Sequence, residues 1–523
     1  MHFLDFVRQF RKMDEARNNL FIHLEKNSLF KKYSIVLALF INYLPLARKI
    51  PFVRIACGLA NSLWLGYLTE ADFGYVREVH FQNTAPLAKT IPLLKTYDYI
   101  VVGSGPGAVA GTSNLPQGST ILVIEKGSNP LTSHKYHHTL QHVVNDFEKS
   151  GQEIIATWPL SQFAQGATLG GGSEVNSGLY HRLPSIKREV YLNNFHLNSY
   201  DWQASETWVE TLLRIQKRDL DPADSLIARG AAASGLEFSN IPRWREYSND
   251  GSFKHFGMIE VFWSDFFKSN QNHHLLTESR VVALQPKKDG IVVKIKSSNE
   301  GELEIFGKKV LLAAGSIQSP RILAESNLIP WNSIKFQWHP MYRAIVKTKN
   351  SDYGFGDIDP YQAWTSDYSL KFGSAVSTPG LLAIGLNRQI IQSEYPLLRS
   401  YYVSHVSSGE GGLIPKTSTP WYSFSDDDRT LKLTGTGLLK DVVHNGGGQF
   451  LDLKTPVKAS PSTVHIFGTL PIDSKFYDSG TNALGKFPAI SICDASILPE
   501  GPGVNPQGVV MAAVKAKTMS LGL

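Results

Sequence analysis

Gly103-x-Gly105-x-x-Ala108 and Glu125 are the residues of this 523-residue chain whose spacing most directly specifies chemistry. The first glycine permits a tight turn, the second lets backbone approach a pyrophosphate, and a small third residue lets a helix pack on a strand. A phosphate then sits at the helix start, where free N–H groups and aligned peptide dipoles favour an anion. Glu125, 22 residues after Gly103, can accept hydrogen bonds from an adenosine ribose and would repel a 2′-phosphate. The pattern calls for a dinucleotide and does not separate FAD from NAD. Near the C-terminus, Asn505-Pro506 precedes the apolar run Val509–Val514. Asn at the cap with Pro at the first turn is a helix start, and its positive end would stabilise negative charge beside it.

Other candidates are weaker. His273-His274 and His137-His138 are adjacent pairs that would point to opposite faces of a strand, and Asp426–Asp428 reads as a solvated turn, so no metal site is expected. The two cysteines, Cys57 and Cys493, are too few and too far apart for a disulfide scaffold or a cysteine-based metal site. No Gly-x-Ser-x-Gly elbow occurs in a strand–helix context, which argues against a hydrolase.

The elements that would position these residues are legible. Tyr97–Val102 is a short β-rich run, Pro106 opens a short helix, Pro116 and Gly118 end it, and Thr120–Glu125 is a second strand. That is the strand–turn–helix–strand start of a nucleotide-binding fold. A second strand-rich area runs from Leu276 to Ala314, and segments 186–270 and 331–450 are richer in aromatics. Apolar residues at 42% allow an extensive core, and 52 basic against 46 acidic residues give +6, too modest for a nucleic-acid binder. The first 94 residues read as a helical extension. Its apolar stretch within residues 33–68 carries interspersed basic residues and suits either an interfacial membrane helix pair or a hairpin packed on the body or a partner. It falls short of the ~20 residues of a spanning helix. Met1–Glu15 lacks the apolar core of a signal peptide, and the low cysteine content favours a cytoplasmic location.

Three further segments make the reading specific: Leu169-Gly-Gly-Gly-Ser-Glu-Val-Asn176, then Val310-Leu-Leu-Ala-Ala-Gly-Ser-Ile-Gln-Ser-Pro320, then a C-terminal set of Val464-His-Ile-Phe-Gly-Thr469, Ile492-Cys-Asp-Ala-Ser-Ile-Leu-Pro499 and Gly503-Val-Asn-Pro-Gln-Gly508. With the fingerprint they resemble the glucose–methanol–choline (GMC) oxidoreductases over roughly 95–185, 275–345 and 460–523, in that family's order. The Gly-Val-Asn-Pro stretch is most similar to the cholesterol-oxidase branch. The resemblance implies an α/β (α+β) architecture: a Rossmann-like FAD domain of discontinuous segments (95–185, 271–330 and 455–523), a sheet-containing substrate domain (186–270 and 331–454) and the helical extension (1–94).

Carried over, the resemblance puts Gly103, Gly105 and Ala108 around the FAD pyrophosphate, Glu125 on the ribose and the Val281 backbone on the adenine. Gly171, Gly172, Ser173 and Asn176 would line the isoalloxazine and pyrophosphate, with Gly315, Asp494, Ala495 and Gln507 completing the cofactor set. His465 would be the base and Asn505 its partner. Asp494 also reads as a cap or turn residue, and Asn505 as a pure helix cap. Val175 stands where some members carry a flavin-linked histidine, so the FAD is expected to be noncovalent. The implied function is oxidation of a small-molecule alcohol to a carbonyl, with O2 or a redox partner as electron acceptor. The alternatives are a non-redox lyase or decarboxylase on the same scaffold, or an inert membrane or complex component. Trp202, Trp208, Trp244, Trp263, Trp364, Tyr401 and Tyr402 would be pocket wall or core.

Overall fold

Thr96–Val102 is buried along most of its length, as expected of a strand covered on both faces. In the computed structural model, which describes residues 62–70, 72–73, 93–130, 138–151, 153–248, 253–349, 357–451, 460–472, 476–477 and 483–520, it is the central strand of the first sheet. It pairs in parallel with Gly301–Leu312 on one side and Ile121–Ile124 on the other. The order across this sheet is Ala483–Leu484, Phe487–Ile492, Gly301–Leu312, Thr96–Val102, Ile121–Ile124, His273–Leu276. Ser279–Lys287 and Gly290–Ser297 form an antiparallel hairpin running off Gly301–Leu312. Strands distant in sequence thus lie side by side, so this body is assembled from discontinuous segments, as the sequence suggests.

The turn after the first strand needs its glycines. Gly103 has φ +95°, and a Cβ there would fall 2.3 Å from the Ala313 carbonyl oxygen. The close helix–strand approach expected at Ala108 is carried instead one residue earlier. A Cβ on Gly107 would lie 2.0 Å from the Cys493 carbonyl oxygen, whereas Ala108 is a fully buried core residue. The terminal helix, Gln507–Ser520, packs against the fingerprint helix, Pro106–Thr112, and against Ser199–Leu212.

The second sheet runs Glu153–Ile155, Ser161–Phe163, Ser462–Thr463, Met341–Lys347, Leu398–His405, Leu370–Ala375, Tyr361–Trp364, Glu237–Asn240. Its first three strands lie within segments 95–185 and 455–523, which the sequence reading assigned whole to the FAD domain. The chain crosses between the two bodies more often than composition reveals. One face of this sheet is apolar: Tyr342, Val346, Leu370, Phe372, Tyr401 and Val403 pack with Leu439, Val442 and Val443 of the helix Asp426–Asn445 and with Leu226, Ile227 and Ala231 of Leu226–Ala233. Strict alternation turns Arg343, Lys371 and Tyr402 to the opposite face.

Of the N-terminal extension, residues 62–70, 72–73 and 93–94 are described, and 62–70 is helical. Trp64, Tyr67 and Leu68 pack against Leu140, Leu381 and Ile384, so this piece lies against the body. The rest of the apolar stretch lies outside the described residues. No described helix is long and apolar enough to cross a membrane.

Candidate active site

Two glycine turns face each other at the carboxyl end of the central strand. Gly105 opens the fingerprint helix at φ −69° without a side-chain cap. Its missing Cβ would meet only the Gly171 Cα, at 3.9 Å. Gly171 is left-handed at φ +61°, and a Cβ there would come within 2.8 Å of the Gly105 Cα. Beyond them, a Cβ on Gly172 or Gly315 would meet nothing within 4 Å. These glycines leave a lane bare of side chains along backbone N–H groups, the cradle that dinucleotide phosphates require.

The flanks of the lane are held by side-chain bonds. Glu125 accepts from the Ser104 N–H at 3.1 Å and hydroxyl at 2.7 Å through Oε2, and from the Gly127 N–H at 2.9 Å through Oε1. The carboxylate is thereby oriented and keeps an acceptor site on Oε1 for a ribose hydroxyl. The strand Ser279–Lys287 begins beside it, with the Ser279 N–H donating to the Glu125 carbonyl at 2.9 Å, and Val281 is buried two residues on. Asp494 caps the turn Ala495–Ile497 by accepting from the Ser496 N–H at 2.9 Å. Its other oxygen accepts from the Ser319 hydroxyl and from the Gly315 N–H at 2.9 Å. The turn role and the role beside the lane are therefore one role. Burial pushes the Asp494 pKa up, and these three donors oppose that shift. The Ala495 carbonyl accepts from the Gly468 N–H at 3.0 Å.

Within the glycine loop, Ser173 is structural. Its hydroxyl donates to the Gly170 carbonyl at 2.9 Å and accepts from the Met258 N–H at 3.0 Å. Asn176 donates to the Gln507 side chain at 2.6 Å and so ties the loop to the start of the terminal helix. Glu174, which the sequence did not single out, is buried beneath the loop, where burial and Glu260 push its pKa up to about 8.

His465 lies past the lane, fully desolvated but for a small opening at 8% exposure. Its Nδ1 is 3.3 Å from Nδ1 of His339, and the His339 N–H donates to the His465 carbonyl at 3.2 Å. The His339 ring is wedged between His465 and Phe467, at 5.4 Å and 4.8 Å between centroids. Burial first, then the charges of Lys371 and Arg343, holds His465 well below its usual pKa, so it stands as a neutral imidazole. Trp338 joins an aromatic cluster with Tyr422 and Phe424, which anchors His339 from the buried side.

Asn505 is two residues ahead of the terminal helix as described, and its amide oxygen accepts from Lys371 Nζ at 2.8 Å rather than from a helix N–H. The pure-cap reading of Asn505 gives way to this contact. His181 is buried. Burial, then Lys371, pulls its pKa down to about 3, with Asn505 and Gln362 as opposing hydrogen-bond partners, and its ring meets Trp364 edge-on at 5.9 Å. Arg182 faces outward to Glu210. Of the aromatic set, Trp202, Trp244 and Trp263 are core, Trp208 is partly buried against that core, and Tyr401 faces the covering helices. Trp364 and Tyr402 remain on the site's side of the second sheet.

His339, Lys371 and Arg343 are the site residues that sequence reasoning missed. Only strand pairing between Gln337–Trp338 and Ile466–Phe467 brings His339 to His465. Lys371 sits in an alternating strand, where a lysine ordinarily marks a solvated face, so no local signal sets it apart.

A sequence model of the family described as GMC oxidoreductase matches residues 97–340. An uncharacterized GMC-type oxidoreductase of Sinorhizobium fredii is 23% identical over 469 residues, covering 79% of this chain and 92% of that protein. (R)-mandelonitrile lyase 1 of Prunus serotina is 24% identical over 282 residues, covering 50% of this chain and 47% of the lyase. Among solved structures, pyridoxine 4-oxidase from Mesorbium loti superposes with a TM-score of 0.64 at 15% identity, covering 81% of this chain and 98% of that one. Formate oxidase gives 0.64 at 12% identity, covering 82% and 98%. At such identities the superpositions establish the shared fold.

Proposed function

The chain belongs to the GMC oxidoreductase family and binds FAD, and from that premise we propose that it oxidises an alcohol to a carbonyl with His465 as the base. The observation that carries this reading is the His465–His339 pair at the end of the glycine lane. FAD, when bound, supplies the two-electron acceptor for a hydride leaving the carbinol carbon. His465 takes the hydroxyl proton. For that, its Nε2 must be unprotonated, so Nδ1 carries the hydrogen and donates to His339 Nδ1, which fixes the tautomer of both rings. Asn505 faces the same space and is the group placed to orient the substrate oxygen.

Gly103, Gly105, Gly171, Gly172, Gly315 and Asp494 would hold the cofactor's phosphates and ribityl chain, Glu125 its ribose and the Val281 backbone its adenine. Ala108, Ser173, Asn176, Ala495 and Gln507 hold those groups in place. With Val175 at the linkage position, the FAD is noncovalent. Electrons leave to O2 or a redox partner. The two cysteines support a cytoplasmic protein, and the basic, apolar stretch within 33–68 supports peripheral membrane contact.

The test is anaerobic mixing with a panel of alcohols while the flavin's visible absorbance is followed. Loss of that absorbance with carbonyl product supports the reading. Turnover with the absorbance unchanged would place the chain with the non-redox alternative, which its likeness to mandelonitrile lyase keeps in view. No response to any member of the panel would favour the inert component.

A further inference from the structure

The face of the second sheet that looks toward His465 is cationic. Strand register sets out two rows on it. Met341, Ser404, Lys371 and Trp364 are successive partners across four strands, and Arg343, Tyr402 and Gly373 form the adjacent row. Gly373 leaves room, since a Cβ there would lie 3.1 Å from the Tyr402 hydroxyl. Lys371 is buried and gives Asn505 one hydrogen bond, which leaves two of its three donors for another partner. Arg343 is exposed although its row neighbour Tyr402 and the nearby Ser404 and Lys371 are at most 4% exposed. It stands in register with buried Tyr402, it and Lys371 both act on buried His465, and desolvation lowers its pKa with Tyr402 opposing. No carboxylate acts on either cation among the described residues.

A buried lysine beside a partly desolvated arginine, with no anion between them, is costly unless something supplies the charge. We propose, resting on the alcohol-oxidation reading, that the substrate carries an oxyanion, a carboxylate or phosphate, which Lys371 and Arg343 receive while its carbinol faces His465. A lysine point charge and an arginine fork together suit such a group. The chemistry of the base agrees. Lys371 and Arg343 depress the basicity of His465, and an anion arriving between them offsets that field as the proton must be taken. Burial holds Lys371 itself down to about 7, a value that a bound anion would raise.

The experiment titrates FAD-loaded protein with acetate and with inorganic phosphate, which carry the oxyanion but no oxidisable carbinol, and follows the flavin spectrum. At least one of them shifts it saturably, and the arm that responds names the oxyanion. Lys371→Met and Arg343→Gln each weaken that binding by at least about tenfold, and Lys371→Arg keeps most of it. In turnover, hydroxy acids or phosphorylated alcohols outcompete their neutral methyl esters or parent alcohols in kcat/KM, and the preference falls toward unity in Lys371→Met. Absence of a shift with both anions, or a preference for the neutral partners, overturns the proposal. Lys371-dependent anion binding with no alcohol able to reduce the flavin would leave the anion site standing and remove the alcohol reading. Reduction by neutral alcohols without anion binding would do the reverse.

Discussion

His465 combines an imidazole with surroundings that forbid its charge. A buried histidine flanked by cations is neutral throughout the neutral range, so the proposed base is present in its reactive form while its driving force for accepting a proton is modest. His465→Ala should therefore retain FAD with normal absorbance and lose roughly 10²–10⁴-fold in the rate of substrate-dependent flavin reduction. Stopped-flow absorbance measures this directly, and an unchanged rate would remove His465 from the base role. In the proposed mechanism His339 acts through His465, presenting Nδ1 as the acceptor that fixes the tautomer, a requirement that residue type alone could not reveal.

At the scale of elements, the fingerprint turn separates two uses of glycine. Gly107 exists for packing, because its Cβ would overlap the Cys493 carbonyl, whereas Gly105 exists for the lane, because its Cβ has room. Gly107→Ala should lower the thermal midpoint of the FAD-free protein, the overpacking costing about 1–3 kcal/mol or more. Gly105→Val should leave that midpoint nearly unchanged and abolish FAD retention. Equal FAD occupancy in Gly105→Val and wild type would refute the lane. The docked helix 62–70 carries a titration of its own. Burial pushes Glu70 up to about 8, while the Leu140 N–H, donating at 2.9 Å, opposes the rise. A carboxyl whose pKa is raised on folding contributes stability that is complete below its unfolded value near 4.5 and is lost as pH rises through about 8. Glu70→Gln keeps an acceptor for Leu140 and removes the titration. Its melting temperature relative to wild type should rise steadily from about pH 5 to pH 8. Parallel melting curves across that range would show that Glu70 ionises freely.

Across the whole molecule, a buried ion cluster joins distant stretches of chain. Asp357 bonds to Arg243 and, at 2.7 Å, to Arg245, and Arg218 approaches it at 3.0 Å. Burial raises the Asp357 pKa, but the arginines outweigh it and the net shift is downward. Its contribution is thus present above the ordinary carboxylate range and lost as pH falls through the lowered value. Asp357→Asn leaves two fully buried guanidinium groups uncompensated, which costs about 3–5 kcal/mol. Thermal denaturation at neutral pH should register that loss, and a variant as stable as wild type would show that the cluster is not held as an ion network. The cluster braces the segment 216–245 against 357–359, next to the strands that carry Trp364 and Lys371.

Much of the nucleotide side was legible because its determinants are local. A glycine turn between two β-rich runs, an acid at the end of the second strand and a triple-glycine loop act through backbone conformation and close approach, and both are written in residue types a few positions apart. Gly107 escaped because what it meets, the Cys493 carbonyl, is nearly 390 residues away in the chain. The substrate side was not legible for the same reason on a larger scale. Arg343 and Lys371 sit in strands whose alternation is identical whether the polar face looks at water or at an enclosed site. Only the packing of the Asp426–Asn445 and Leu226–Ala233 helices on the apolar face, and of His465, Asn505 and His181 near the other, decides which it is. Sequence thus determined the glycine turns and the acid of a nucleotide-binding start. Tertiary structure decided what charge surrounds His465, because burial and electrostatic environment belong to the assembled surfaces and to no single segment.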